Sequence, residues 1–303
     1  AWFCKNQIHK SKNKLKIKRM RLENVVSYFD GISCGQVALG KANIEVGNYF
    51  AYEIDKYAIK VTQKNYPNTK QMGSVLDVDF KTLPKIDLLI GGSPCQGFSS
   101  SGKQLNFEDP RSKLFFEFVK AKEILKPKYF LLENVSMKKE WLNIISEKLG
   151  IEPIKINSKD FTGQNRPRYY WTNIPFTKYE VKNIPIFFND EFFSKVEIVP
   201  FVKRKIEMFD KLPSFFNPYN LSELKYAPTL QAQGNRQTNS SSIFYKKDND
   251  FYMANSSYWE LLQGVPKDYT KGYSENIRKN LLGNGWTVDV IAHIFKGMSK
   301  PTE

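Results

Sequence analysis

From Met20 onward, short apolar runs alternate with stretches that are apolar along one side, and turn-forming residues separate the two. Asn24–Phe29 reads as a strand and Gly35–Ala42 as the helix after it. Tyr49–Ile54 is a second strand, followed by a helix over Lys56–Asn65 that stops before Pro67. Ile86–Ile90 is apolar except for Asp87, the pattern of a strand covered on both faces, and Gly91-Gly92-Ser93-Pro94 then turns the chain. Ser112–Leu125 reads as a helix stopped by Pro127, Tyr129–Leu132 as a strand, and Ile154–Asn157 with Arg168–Thr172 as a strand–loop–strand unit. Strands that alternate with helices predict an α/β fold built on a doubly wound, mostly parallel sheet. Between Asn173 and Tyr226 the periodicity weakens, prolines recur and aromatics interleave with lysines, so residues 173–226 are expected to form a small irregular domain. Helical patterns return over Ser257–Leu262, Tyr273–Leu282 and Asp289–Gly297, which assigns 20–172 and 227–303 to one main domain.

Charge narrows the class of partner. The 303 residues include 46 basic and 31 acidic ones, a formal net charge of +15, which makes a polyanion the leading candidate. Residues 1–19 hold seven basic residues and no acidic one, and read as a basic extension outside the fold. The remaining 39 basic and 31 acidic residues still leave +8. Apolar runs are too short for a membrane-spanning helix, and the lysine-rich start does not resemble a signal peptide, so an intracellular protein is expected. Cys4, Cys34 and Cys95 have no paired spacing, and His9 and His293 are the only histidines; neither a disulfide framework nor a metal site is expected.

Candidate chemistry lies where strands give way to turns. Phe29-Asp30-Gly31-Ile32-Ser33-Cys34-Gly35 leads from the first strand into a helix, the place where doubly wound sheets hold nucleotide-like cofactors. Glu53 closes the second strand, where a carboxylate can accept bonds from ribose hydroxyls. No G-x-G-x-x-G is present to cradle a pyrophosphate, so a phosphate-free sulfonium cofactor, S-adenosylmethionine, fits an acidic turn better than a dinucleotide. Cys95 sits in Gly91-Gly92-Ser93-Pro94-Cys95-Gln96-Gly97-Phe98-Ser99, surroundings too polar and turn-prone for a core thiol. The polar stretch Ser99–Ser112 suits a loop that closes over substrate. Glu133-Asn134-Val135 ends the fourth unit, and Gln164-Asn165-Arg166-Pro167-Arg168 places two guanidiniums at alternate positions. Taken alone, these read better as a helix cap and surface ion pairs.

In order, FDGISCG, GGSPCQGFS, ENV, QNRPR and GNGWTV resemble the cytosine-5 DNA methyltransferases over nearly the whole chain from Met20. The wording of SKLFFEF, RYYWTNIP and LLGNGWTV is most similar to the catalytic domain of the animal de novo enzymes, and a bacterial or phage relative is the expected source. The resemblance implies a Rossmann-like class I methyltransferase fold, S-adenosylmethionine as cofactor, double-stranded DNA as partner, and 173–226 as the target-recognition domain. It implies a cytoplasmic location in a bacterium or infected host, or a nuclear one in a eukaryote; oligomeric state stays open. Cys95 is the implied nucleophile toward carbon 6 of cytosine, and Glu133 the group at ring N3, a role that needs a carboxyl protonated at least transiently. Arg166 or Arg168 would hold O2 of the base or a phosphate. The implied cofactor residues are Phe29, Asp30, Gly31, Ser33, Glu53, Ile54, Ser74, Val75, Pro94, Asn284 and Trp286. Where the family usually carries Gly-Asp, this chain reads Gly73-Ser74, leaving Ser74 or Asp77 to meet the adenine. Alternative readings are the same chemistry on transfer RNA, and a catalytically silent DNA-binding module.

Overall fold

The computed structural model describes residues 19–93, 110–176, 178–179, 198–200, 219–220, 226–230, 232, 243–247 and 250–299. The basic extension, apart from Arg19, lies outside the described residues, as do Pro94, Cys95 and nearly all of Ser99–Ser112.

Seven strands form the main sheet: β1 (Arg21–Tyr28), β2 (Glu45–Tyr52), β3 (Lys70–Gln71), β4 (Leu88–Gly92), β5 (Tyr129–Val135), β6 (Ile154–Asn157) and β7 (Pro167–Thr172). Their order is β3-β2-β1-β4-β5-β7-β6; β7 alone runs antiparallel to its neighbours β5 and β6. Succession proceeds outward from β1 in one direction and from β4 in the other. A crevice therefore opens past the carboxyl ends of β1 and β4, where crossovers leave to opposite faces.

Alternation along the strands sorts the core into two layers. Val25, Leu88, Ile90 and Leu131 pack on one face against α1 (Cys34–Lys41), α5 (Ser256–Gln263), α6 (Glu275–Asn284) and α7 (Val288–Phe295). Val26, Leu89, Leu132 and Trp171 pack on the other against α3 (Pro110–Leu125) and α4 (Lys139–Leu149). One-residue steps in a strand reverse the face, so the apolar run Leu88-Leu89-Ile90 supplies both layers at once. Between β2 and β3 lies α2 (Lys56–Asn65), whose first turn is capped by Asp55 Oδ1 accepting from the amides of Tyr57 (2.7 Å) and Ala58 (3.2 Å).

Two differences from the sequence reading stand out. Residues 139–149, left unassigned, form α4, with Ile145 and Leu149 four residues apart on its buried side and Gly150 closing it at φ 70°. A second sheet of four strands, ordered β8-β11-β10-β9, combines β8 (Ile198–Pro200) and β9 (Tyr219–Asn220) with β10 (Ile243–Lys247) and β11 (Asp250–Ala254). Its antiparallel pair β10–β11 lies beyond residue 226, in a stretch assigned to the main domain. Neither IFYKK nor DFYMA alternates polar with apolar positions, so no period-two pattern announces the hairpin.

Candidate active site

The turn after β1 is held in an uncommon conformation. Phe29, Gly31 and Ser33 have φ of 56°, 58° and 58°, a left-handed region that Phe and Ser occupy only when surrounding contacts over-determine it. Those contacts are visible. The part-buried Asp30 carboxylate accepts from the Ser33 hydroxyl and, at 2.8 Å, from the buried Tyr49 hydroxyl. Gln36 Nε2 in turn donates to Ser33 Oγ (3.1 Å) and Thr69 Oγ1 (2.8 Å). Glycine at 35 lets Tyr49 reach: a Cβ there would stand 2.8 Å from its hydroxyl and 2.5 Å from Ile90 Cδ1.

Glu53, at the end of β2, fastens the turn from the opposite side. Its Oε2 accepts the Gly31 amide at 2.7 Å, and its Oε1 accepts the amides of Ile54 and Asp55 at 2.7 and 2.8 Å. Burial, opposed by bonds to Ser27, Ser33 and Tyr49 and assisted by the nearby charge of Glu53, pushes the Asp30 carboxyl up to about 6. A carboxyl whose pKa rises on folding binds its proton more tightly in the native state, so its ionisation costs stability between about pH 4 and pH 6 and no further above that. Asp30→Asn is expected to remove this slope and to exceed the wild type in stability at pH 7 by on the order of 2–3 kcal/mol. Urea unfolding at pH 4, 5, 6 and 7 measures it; parallel pH profiles for the two proteins would refute the assignment.

A cleft of about 420 Å³ opens past these strand ends. Phe29, Gly31, Glu53, Ile54, Ser74 and Val75 line one end of it, and Glu133, Arg166, Arg168, Asn284 and Trp286 the other. Asp30 and Ser33 do not line it: their polar atoms face Tyr49 and Gln36 behind the turn. Ser74 does, while its oxygen also accepts the Leu76 amide at 3.1 Å; Asp77 is exposed and away from the cleft. Pro94 and Cys95 lie outside the described residues, and Ser93 on the cleft wall is where the chain departs toward them. The remaining described thiol, Cys34, is buried in the core and pushed up to about 12 by desolvation, which makes it a poor nucleophile.

Glu133 and Arg168 face one another across the β5–β7 pairing, with Arg168 Nε 3.0 Å from Glu133 Oε1 and both side chains largely buried. The strand register sets Glu133 beside Gly92, and Trp286 fills the space above that glycine: a Cβ at 92 would stand 2.6 Å from Trp286 Nε1. Arg166 is used differently. Its guanidinium donates to the carbonyls of Leu230 (2.6 Å), Gly283 (3.0 Å) and Gly285 (2.9 Å), which ties the approach to β7 to the turn that carries Trp286. The two arginines of QNRPR thus divide, one toward the carboxylate and one into the scaffold.

The Phe29–Leu76 end of the cleft fits S-adenosylmethionine in its donor set. It offers the carboxylate of Glu53, the exposed apolar side chains of Ile54 and Leu76, and no lysine or arginine among its lining residues. A pyrophosphate would find no cation there. Among the described residues no group of side chains could hold a metal ion, and no helix is long and apolar enough to cross a membrane.

Residues 24–174, which carry this turn, Gly92, Glu133 and both arginines, match the family of C-5 cytosine-specific DNA methylases. The chain belongs to that family. Among curated C-5 methylase relatives, an orphan methyltransferase of Bacillus phage rho11s is 40% identical over 159 residues, 48% of this chain and 32% of its own length. A type II methyltransferase of Neisseria lactamica is 30% identical over 237 residues, 72% of this chain and 53% of its own. The chain thus spans about a third to a half of the length of these relatives. Solved structures agree in fold: the Entamoeba histolytica methyltransferase EhMeth superposes with a TM-score of 0.73 at 17% identity, covering 91% of this chain and 97% of that one. Spodoptera frugiperda DNMT2 gives 0.66 at 18% identity, covering 92% and 100%. The fold is the Rossmann-like one of class I methyltransferases.

Local pattern offers no partner for Gln164, which lies in QNRPR, and no signal at all for Gln263 and Ser158. Gln164 and Gln263 are fully buried; Gln263 Nε2 donates to the carbonyls of Leu282 (2.6 Å) and Gly285 (3.1 Å), and its Oε1 accepts from Thr287 Oγ1 at 3.1 Å. Ser158 Oγ joins the same network at 2.9 Å from Thr287 Oγ1. Partners separated by 19 to 129 residues cannot be paired from local pattern.

Proposed function

We propose that this chain transfers a methyl group from S-adenosylmethionine to carbon 5 of a flipped-out cytosine in DNA, through a covalent bond to Cys95. The observation that carries the reading is one cleft that joins the Glu53–Ile54 end to the Glu133–Arg168 pair, next to the strand from which the chain runs to Cys95. Membership of the C-5 methylase family and relatives named as orphan and type II methyltransferases support it.

Cytosine carbon 5 is a weak nucleophile until carbon 6 is attacked. Cys95, as thiolate, forms the bond to carbon 6, while Glu133 delivers a proton to N3, so that the electron pair of the C5–C6 double bond becomes available at carbon 5. Arg168, paired with Glu133, orients that carboxyl and in this reading meets O2 of the base; Arg166 acts by fixing the backbone around Trp286. S-adenosylmethionine, when bound, supplies an electrophilic methyl group on a sulfonium sulfur. Loss of the carbon 5 proton to solvent base then expels Cys95 as thiolate, N3 returns its proton to Glu133, and the aromatic ring is restored. Extruding the base costs a few kcal/mol, offset by phosphate contacts that the net charge of +15 favours. Residues 173–226, together with the β10–β11 hairpin of the second sheet, are assigned to target recognition.

Incubating the protein with methyl-labelled S-adenosylmethionine and either duplex DNA or transfer RNA tests the substrate class, and label is expected in 5-methylcytosine of the DNA alone. Duplexes containing 5-fluorocytosine, which cannot lose the position-5 substituent as a proton, should trap a cofactor-dependent adduct that Cys95→Ala fails to form. Label in transfer RNA only, or in neither, would overturn the assignment.

A further inference from the structure

The ends of β5 and β6 and the start of β7 lie level with one another, since Val135 pairs with Arg168 and Arg168 with Ile156. Val135 and Arg168 line the cleft, and outside them the rim turns basic. Lys138 and Lys139, three and four residues after Val135, are exposed where α4 begins. Lys155, exposed on β6, stands opposite Tyr169 on the face that α4 covers, with its ammonium 5.6 Å from the centre of that ring. Lys159, in the turn after β6, holds its ammonium 5.4 Å from the centre of the Tyr226 ring. None of these five residues outside the cleft wall belongs to its lining.

The charge of this rim is not balanced locally. Among the described residues none of the four lysines is in an ion pair. Glu133 is taken by Arg168, and Asp160 accepts from the Tyr179 hydroxyl at 3.1 Å, which leaves Glu140 as the exposed carboxylate beside Lys138 and Lys139. Glu147 and Glu152 lie at the far end of α4. A ring beneath an ammonium steadies it without neutralising it, so Lys155 and Lys159 keep their full charge for an outside anion. We propose that Lys138, Lys139, Lys155 and Lys159 form the surface on which the phosphate backbone of the duplex rests beside the cleft. The proposal rests on the reading of DNA as substrate. From β5 across β7 to β6 is two strand spacings, about 10 Å, and a duplex carries one charge per about 1.7 Å of its axis, so several phosphates come within reach at once. Position matches charge: the rim starts where Val135 and Arg168 leave the cleft, so a duplex that gives up a nucleotide to the cleft lays its flanking backbone there. Ammonium groups take phosphates as point charges and read no base edge, so this surface adds affinity and holds the duplex in place without choosing the sequence.

The test is duplex affinity as a function of salt, with the methylated positions mapped in parallel. The pair Lys155→Gln/Lys159→Gln is expected to lower the magnitude of the slope of log K against log salt by about two and to weaken binding at 0.1 M salt by on the order of tenfold or more. Adding Lys138→Gln and Lys139→Gln should extend both effects. The control pair Lys128→Gln/Lys148→Gln removes equal charge at the opposite end of the sheet, where β5 begins and α4 ends, and should leave the slope near the wild-type value. Cofactor affinity should be unchanged in every variant, and the methylated positions should stay the same. Equal effects from the rim and control pairs would show a response to net charge alone and overturn the proposal, as would a change in methylated sequence. If the wild-type protein neither binds nor labels duplex DNA, the substrate reading beneath the proposal fails instead.

Discussion

Glu133→Gln is expected to slow methyl transfer by about 10²–10⁴-fold, the usual range for removing a general acid or base, while leaving the fold and DNA affinity intact. Glutamine keeps the shape of the side chain and still offers an oxygen to Arg168 Nε, now 3.0 Å from the carboxylate. It has no acidic proton to give to N3. The loss should fall on the chemical step, so kcat and kcat/KM should drop together while KM for DNA stays near its original value. Steady-state kinetics with labelled cofactor measures it; full activity in the variant would show that N3 is activated by another group. Arg168→Ala would be a poorer probe, because it leaves Glu133 enclosed without its cation.

The second large effect is structural. Glu260, 1% exposed, accepts from the Asp268 amide at 2.9 Å, the Thr270 amide at 2.8 Å, the Thr270 hydroxyl at 2.6 Å and Arg278 Nη2 at 3.1 Å. Arg278 reaches Thr270 Oγ1 through Nε and Glu275 through Nη1, and Glu275 in turn holds the amide and hydroxyl of Ser256. This cluster joins α5, the 268–270 loop and α6, which together back the Trp286 wall. Arg278→Met is expected to destabilise the protein by about 3–5 kcal/mol, since it leaves a buried carboxylate without a cation. Replacing both charges by Leu would not restore the loss, because the amides of Asp268 and Thr270 would then lack an acceptor. Urea unfolding measures the difference; a change below about 1 kcal/mol would mean that the loop relaxes and admits water.

Much of the architecture was legible in the chain itself. The apolar run Leu88–Ile90, the apolar pairs in 24–29 and the turn residues after each strand specify a doubly wound sheet, because short-range pattern decides which residues can be buried on which face. The order of the motifs, from the Asp30 turn through Glu133 to the late Gly283–Trp286 turn, identified the family; the Asp30 turn and Glu133 share one crevice because they lie at carboxyl ends of strands of one sheet, and the Gly283–Trp286 turn, between α6 and α7, packs against Gly92 there. The β10–β11 hairpin is not legible in the chain because its strands, IFYKK and DFYMA, lack the period-two alternation that marks a half-buried strand.

What each side chain touches was settled only in three dimensions. Arg166 and Arg168 are equivalent in the sequence, yet Arg166 spends its guanidinium on carbonyls 64 to 119 residues away and Arg168 pairs with Glu133. Asp30 sits in the middle of a cofactor-like motif, but its carboxylate turns inward to Ser33 and Tyr49 and supports the turn from behind. Ser74 rather than Asp77 reaches the cleft because the short turn over Val75–Asp77 carries the carboxylate out to solvent. Asn134 could not be distinguished from a surface amide until Ser93 was found beside it. Local pattern is a property of neighbours along the chain, whereas hydrogen-bond partners are chosen after the layers have packed, among groups that the sequence places far apart.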